Sequence, residues 1–218
     1  MNTPDSPPSV VSSPSPARGD TATQILMWEH GLILQALSAM EQHISGLEAG
    51  GVPDRAFFEK AIQFLQAFAD RGHHGKEEDI LFKRMVEDLD YPSNAGPVAV
   101  LTGEHERGRE FLRGLAQALA VLGQDPSATR RVIENGRGYI QLLRTHIHRE
   151  DNVVFPMVDQ FLDDADQARL AAEFAECDRR EIDSGRYETS LRLFQDLTQR
   201  TSERVQAGHD TRGGAASE

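Results

Sequence analysis

Ten residues starting at His73 align without a gap on ten starting at His146, and no other feature constrains the fold as tightly. His73-His74-Gly75-Lys76-Glu77-Glu78-Asp79-Ile80-Leu81-Phe82 sits over His146-Ile147-His148-Arg149-Glu150-Asp151-Asn152-Val153-Val154-Phe155 at a constant offset of 73. Histidine, basic residue, glutamate, second acid, two aliphatics and phenylalanine all coincide. Glu29-His30 and Glu104-His105 match at a similar offset of 75. The chain therefore reads as two copies of one hairpin. Each copy supplies a histidine and then a His-x-x-x-Glu.

Hydrophobic spacing makes these hairpins helical. Leu26, His30, Ile33, Leu34, Leu37 and Met40 recur every three or four residues, which draws one apolar stripe on a first helix. Gly50-Gly51-Val52-Pro53 ends it, and Asp54 is a good N-cap for a second helix through Phe58, Ile62, Leu65, Ala69, His73 and Leu81. Tyr91 to Pro97 is a central loop. A third helix runs through Val98, Leu101, His105, Leu112, Leu115 and Leu119. After a break at Gly123 to Ser127, a fourth carries Ile133, Tyr139, Leu142, Leu143, His146 and Met157. Strand-like alternation is absent, so the expected fold is all-α: an antiparallel up-down four-helix bundle over residues 21–163. One or two accessory helices are expected within 164–205, near Asp166–Arg179 and Tyr187–Arg200, packing outside the bundle. Pro156 should kink or end the fourth helix. Five of the ten prolines fall in the first sixteen residues among serines, so residues 1–20 read as a disordered leader and 206–218 as a disordered tail.

Composition narrows the function. The chain has 35 acidic and 23 basic side chains among 218 residues, a net charge of −12, and no basic patch, which argues against nucleic acid as a partner. A single cysteine, Cys177, can form neither an intramolecular disulfide nor a thiolate zinc site. No apolar run approaches the roughly 18 residues of a membrane span, and no signal-peptide core follows the N-terminus. A cytoplasmic protein without membrane attachment is expected.

Attention then falls on eight histidines. Residues four apart stack one turn apart on a helix face, so a histidine and a glutamate at that spacing can converge on one metal ion. With His30 and His105 on inward stripes, six groups converge: His30, His73, Glu77, His105, His146 and Glu150. Four imidazoles and two carboxylates suit a pair of iron ions, with charge left for a bridging oxide or hydroxide. Register with His146 and Glu150 selects His73 and Glu77 as ligands. It leaves His74 and Glu78 about 100° around the helix, at the edge of the site. Glu78 and Asp151 read as solvated residues or as hydrogen-bond partners of a ligand imidazole. Tyr139, two turns before His146, reads as a core tyrosine or as a partner above the metals. His43 and His148 are expected to face solvent, and His209 belongs to the tail. A ferritin-type site would need Glu-x-x-His pairs; Asp70 imitates one before His73, but Leu143 stands at its place in the second copy.

Trp28-Glu29-His30, the His73–Phe82 segment, Glu104-His105-Glu106-Arg107-Gly108-Arg109 and the His146–Pro156 segment, in this order, resemble the haemerythrin-like (HHE cation-binding) domain over residues 22–163. The resemblance implies an up-down bundle around a non-haem di-iron centre with the two glutamates bridging. It also implies handling of oxygen, nitric oxide, peroxide or iron. Two departures stand out. Oxygen carriers of the family place a second histidine one turn after the third-helix ligand, where this chain has Arg109. The fourth-helix carboxylate also follows its histidine by four residues instead of five. A more open site is expected, with Arg109 pairing with a bridging glutamate or a bound anion. The leading expectation is a sensor, scavenger or iron-handling protein. A di-iron enzyme acting on peroxide or nitric oxide, and an iron-dependent module binding a protein partner, are the alternatives.

Overall fold

A computed structural model describes residues 20–210, with side chains to residue 199. Six helices follow one another, with no strand among the described residues: α1 (Ala22–Glu48), α2 (residues 55–87), α3 (Gly96–Ala120), α4 (residues 128–159), α5 (Asp164–Asp183) and α6 (Arg186–Asp210). Two of them are not uniform. In α2, π-helical turns at Leu65–His74 and Glu77–Leu81 lie between the α-helical stretches Arg55–Phe64 and Phe82–Glu87. In α4, one π-helical stretch, Glu150–Val154, separates Ala128–Arg149 from Phe155–Asp159.

Local chemistry accounts for the ends. Thr21 opens α1 with a capping box: its hydroxyl accepts from the Gln24 amide, and the Gln24 side chain accepts from the Thr21 amide. Gly50, at φ +90°, turns the chain after α1 in a conformation that disfavours any side chain. Asp54 caps α2 by accepting from the Phe57 amide at 3.0 Å, as its position in the sequence suggests.

The apolar faces form two cores stacked along the bundle. The larger joins Ile33, Leu37 and Met40 of α1, Phe58 and Leu65 of α2, Leu112 and Leu115 of α3, and Val132, Ile140 and Leu143 of α4. The smaller joins Leu26, Leu81, Phe82, Leu101, Val154 and Phe155. Each helix enters these cores in the order opposite to its neighbour in sequence, as an antiparallel up-down bundle requires. On all four helices the switch from one core to the other falls at the ligand-type residues: His30, His73 to Glu77, His105, and His146 to Glu150. A polar layer is thus enclosed between two apolar ones.

Pro156, expected to kink or end α4, is followed by three more helical residues, to Asp159, and a π-helical stretch lies just before it. Three expectations need correction. His43 does not face solvent: it is buried, bonded through Nδ1 to the Ala39 carbonyl and stacked on Phe57 at 3.4 Å. The reason is that α1 is covered on several sides, by α2, α4, α5 and α6. The C-terminal helices also do more than lie outside, since Phe194 and Leu197 of α6 enter the larger core and Leu170 and Phe174 of α5 the smaller. The last helix runs through Asp210, five residues past the expected end, so the backbone at His209 is helical. Residues 1–19 and 211–218, most of the expected leader and tail, lie outside the described residues.

If α5 is part of the core in this way, Phe174→Ala should destabilise the protein by about 3–5 kcal/mol in equilibrium denaturation, because the ring is fully buried. A loss below about 1 kcal/mol would mean that α5 is a detachable appendage.

Candidate metal centre

The enclosed layer holds five imidazoles and two carboxylates, all at most 3% exposed: His30, His73, His74, His105, His146, Glu77 and Glu150. Four of the imidazoles obey one rule. Nδ1 of His30 bonds Asp151 at 2.7 Å, His73 bonds Glu29 at 2.9 Å, His105 bonds Glu78 at 2.6 Å and His146 bonds Glu104 at 2.9 Å. A carboxylate can only accept, so each Nδ1 carries a proton and each Nε2 is left to face the centre. The partners follow the repeat. Glu29 and Glu104, each just before a lone histidine, orient the histidine of the next helix. Glu78 and Asp151, each just after the glutamate of the motif, orient the lone histidines.

Facing these nitrogens are Glu77 and Glu150. Glu77 lies 3.4 Å from His73 Nε2 by one oxygen and 3.4 Å from His105 Nε2 by the other. Glu150 lies 3.3 Å from His30 Nε2 and 3.2 Å from His146 Nε2 in the same divided manner. Each carboxylate therefore spans from the His30/His73 pair to the His105/His146 pair. Two groups of atoms lie close enough to hold a cation, His30-His73-Glu77-Glu150 and His74-Glu77-His105-His146.

The donor chemistry fits cations better than protons. His105 Nε2 and His146 Nε2 stand 3.1 Å apart, and with both Nδ1 atoms donating, neither Nε2 has a hydrogen to offer as long as both rings are neutral. All four oxygens of Glu77 and Glu150, and Nε2 of His30 and His73, lack a well-directed hydrogen bond. Protonation is divided unevenly among them. Burial, then the neighbouring Glu77, drives the Glu150 carboxyl well above the usual range. Burial opposes ionisation of Glu77 too, but His73 and His105 outweigh it and hold that carboxyl well below the range. Burial likewise pushes His73 down, yet Glu77 and Glu29 carry its pKa up to about 9. One divalent ion at each group would let both carboxylates ionise together.

The outer carboxylates have cations of their own. Lys76, 1% exposed, pairs with Glu29 and with Asp178 of α5 at 2.9 Å, beneath the ring of Phe174. Its counterpart in the repeat, Arg149, pairs with Glu104 but is 34% exposed. Arg109 reaches neither Glu77 nor Glu150. It binds Asp70 at 2.7 Å, Glu78 at 2.8 Å and Glu106 at 2.6 Å, which replaces the expected pairing with a bridging glutamate.

The six residues expected to converge are brought together, and two more are buried with them, His74 and Lys76. His74, expected at the edge, is 3% exposed and stacks on His105 at 3.9 Å. The wider π-helical turn, with the Gly75 amide bonding back to Asp70, rotates less per residue than an α-helix and carries His74 round with His73. Lys76 was signalled only by its alignment with Arg149. Tyr139 packs in the larger core, where burial and then Asp70 keep its phenol protonated. His148 is exposed.

The two halves should respond unequally to loss of the basic residue. In metal-free protein, Lys76→Met leaves Glu29 buried without its cation and should cost about 3–5 kcal/mol. Arg149→Met should cost below about 1 kcal/mol. Equal losses by denaturant titration would remove the asymmetry.

Comparison with known proteins agrees with this geometry. Residues 21–158 match the hemerythrin HHE cation binding domain. An uncharacterized protein of Mycobacterium bovis is 25% identical over 182 residues, covering 81% of this chain and 69% of its own. Uncharacterized proteins from two strains of Mycobacterium tuberculosis match to the same extent. No solved structure matches. Among the described residues, no helix is long and apolar enough to cross a membrane.

Proposed function

The chain belongs to the hemerythrin HHE cation-binding family, and from that premise we propose that it holds two iron ions and exposes them to oxygen, nitric oxide or peroxide. His30, His73, His105 and His146 would supply imidazole, and Glu77 and Glu150 would each serve both ions. The observation that supports this best is the divided reach of the two glutamates, whose oxygens address a histidine of either pair at 3.2–3.4 Å. An all-nitrogen-and-oxygen donor set without thiolate favours iron over a structural zinc. When bound, the pair would supply redox capacity and a coordination position for a small ligand.

The protein's own groups restrict what reaches that position. The polar layer lies between two apolar cores, so bulk water is kept from it. A cleft of about 300 Å³ between α2 and α3, lined by Val86, Val98, Thr102, Phe82 and Glu78 among others, lies beside it. Phe82 stacks on His105 at 5.8 Å and Glu78 bonds it, so a molecule in the cleft meets the site across those two side chains. Such an approach suits a diatomic molecule or peroxide rather than an organic substrate. The role is that of a sensor, scavenger or iron-handling protein. A single cysteine and a donor set independent of disulfides are consistent with a cytoplasmic setting.

Anaerobic loading with ferrous iron should give two irons per chain and raise the thermal midpoint, and a chelator should reverse both. His73→Ala combined with His146→Ala should abolish this uptake. Absorption spectra after separate additions of oxygen, nitric oxide and hydrogen peroxide then identify the ligand. Less than one iron per chain in the unaltered protein, or uptake indifferent to the double substitution, would sink the reading, and stoichiometric zinc in iron's place would sink its redox part.

A further inference from the structure

With an apolar core closing it on either side, the polar layer meets the surface at the four seams between neighbouring helices. Each seam carries one of the orienting carboxylates, and at three of them a cation caps it. Glu29, between α1 and α2, has Lys76, which Asp178 of α5 holds from outside. Glu78, between α2 and α3, has Arg109, which Asp70 and Glu106 hold in place. Glu104, between α3 and α4, has Arg149. Asp151, between α4 and α1, pairs with His30 and with no lysine or arginine among the described residues.

The repeat identifies what the fourth seam lacks. At the offset of 75, Arg109 corresponds to Leu34 and Glu106 to Gly31; at the offset of 73, Glu78 corresponds to Asp151 and Asp70 to Leu143. The carboxylate is kept, but the guanidinium over it and both acids that hold the guanidinium are replaced by two leucines and a glycine. Gly31 faces open space, since a Cβ there would meet nothing within 4 Å. Asp151 is 23% exposed and uses Oδ1 alone, accepting from His30 Nδ1 at 2.7 Å, so its other oxygen is left to solvent. His30 Nε2 in turn lies 3.3 Å from Glu150. A single imidazole therefore separates a carboxylate that faces water from one that faces the centre.

We propose that ferrous iron enters through the α1–α4 seam, with Asp151 as the carboxylate that first takes the hydrated cation from solution. A free carboxylate oxygen at the surface attracts a divalent cation, whereas a lysine or arginine over the carboxylate repels it at the point of entry. The three capped seams are closed to a cation on these grounds, and the fourth is open. It lies across the bundle from the α2–α3 cleft, so metal and small ligand approach from opposite sides. The route rests on the two-iron reading above and governs the rate of uptake, not its extent.

The test mixes the metal-free full chain with ferrous iron anaerobically in a stopped-flow fluorimeter. Quenching of Trp28 is the signal, because this single tryptophan lies two residues from His30. Leu34→Arg gives the seam the guanidinium that Arg109 supplies at the opposite one, and it leaves the bond from His30 to Asp151 in place. Uptake should become about tenfold slower, with two irons still bound at equilibrium. Asp151→Asn, whose amide oxygen can still accept from His30, should slow uptake to a similar degree. Glu134→Gln removes one charge from an exposed part of α4 and should leave the rate unchanged. If Asp151→Asn slows uptake and Leu34→Arg does not, Asp151 acts only by orienting His30 and the route is overturned; unchanged rates in both overturn it as well. In either case two irons in the unaltered protein leave the di-iron reading standing, whereas fewer than two bring down both. Should Leu34→Arg fail to fold, Gly31→Lys, whose side chain enters open space, puts a cation at the same seam and decides the matter.

Discussion

A bond from an imidazole Nδ1–H to a carboxylate, made four times, is the interaction on which the rest of the structure depends. An imidazole on an inward helix face can present either nitrogen and either tautomer, and a carboxylate on Nδ1 removes that freedom. Because Glu29 lies on α1 and His73 on α2, and Glu104 lies on α3 and His146 on α4, each of these bonds also joins two helices. Asp151 to His30 and Glu78 to His105 close the remaining contacts, α4 to α1 and α2 to α3. The four bonds make a ring around the bundle. Rotation of any one helix would break two of them, so the apolar cores above and below are held in a single register by the polar layer between them.

That ring is nearly twofold, but its surroundings are not. Lys76 and Arg149 perform the same task at equivalent places, holding the carboxylate that holds a ligand-type histidine. Only Lys76 is roofed over, because α5 crosses its side of the bundle and adds Asp178 and Phe174. The same half carries His74 and Asp70 where the other has Ile147 and Leu143. The repeat makes a nearly symmetric frame, and its first copy carries an extra buried imidazole and extra cover. Burial raises the cost of an unpaired charge, so the covered half is also the half whose integrity depends most on each partner being present.

The sequence carried most of this architecture because two periodicities agree in it. Helical spacing of apolar residues sets which face turns inward, and the offset of 73 selects, from adjacent histidines and glutamates, those that face one another across the bundle. Both signals are local or repetitive. His74 escaped because the angle of 100° per residue fails in a π-helical turn, and nothing in the residues from Leu65 to His74 announces that turn. His43 escaped for a different reason. Its burial comes from helices far along the chain, and a helical wheel drawn for α1 alone contains no term for them. Arg109 is excluded as a ligand by its chemistry, but its partners Asp70 and Glu78 lie on another helix and could not be read from its own.

Charge explains why a layer so rich in acids can be buried at all. Three of the four orienting carboxylates have a cation: Glu29 has Lys76, Glu104 has Arg149, and Glu78 shares Arg109 with Asp70 and Glu106. Asp151, at 23% exposure, has His30 and solvent instead. Glu77 and Glu150, by contrast, are the fully buried carboxylates of the layer and, among the described residues, face imidazoles and no Lys or Arg, so their charge is left to meet whatever occupies the centre. Two divalent ions would exceed that charge, and the excess positive potential, little screened between apolar cores, would draw a small anionic or polarisable ligand to the centre. On this argument Lys76, Arg149 and Arg109, none of which touches the centre, set its net charge as firmly as the ligands do.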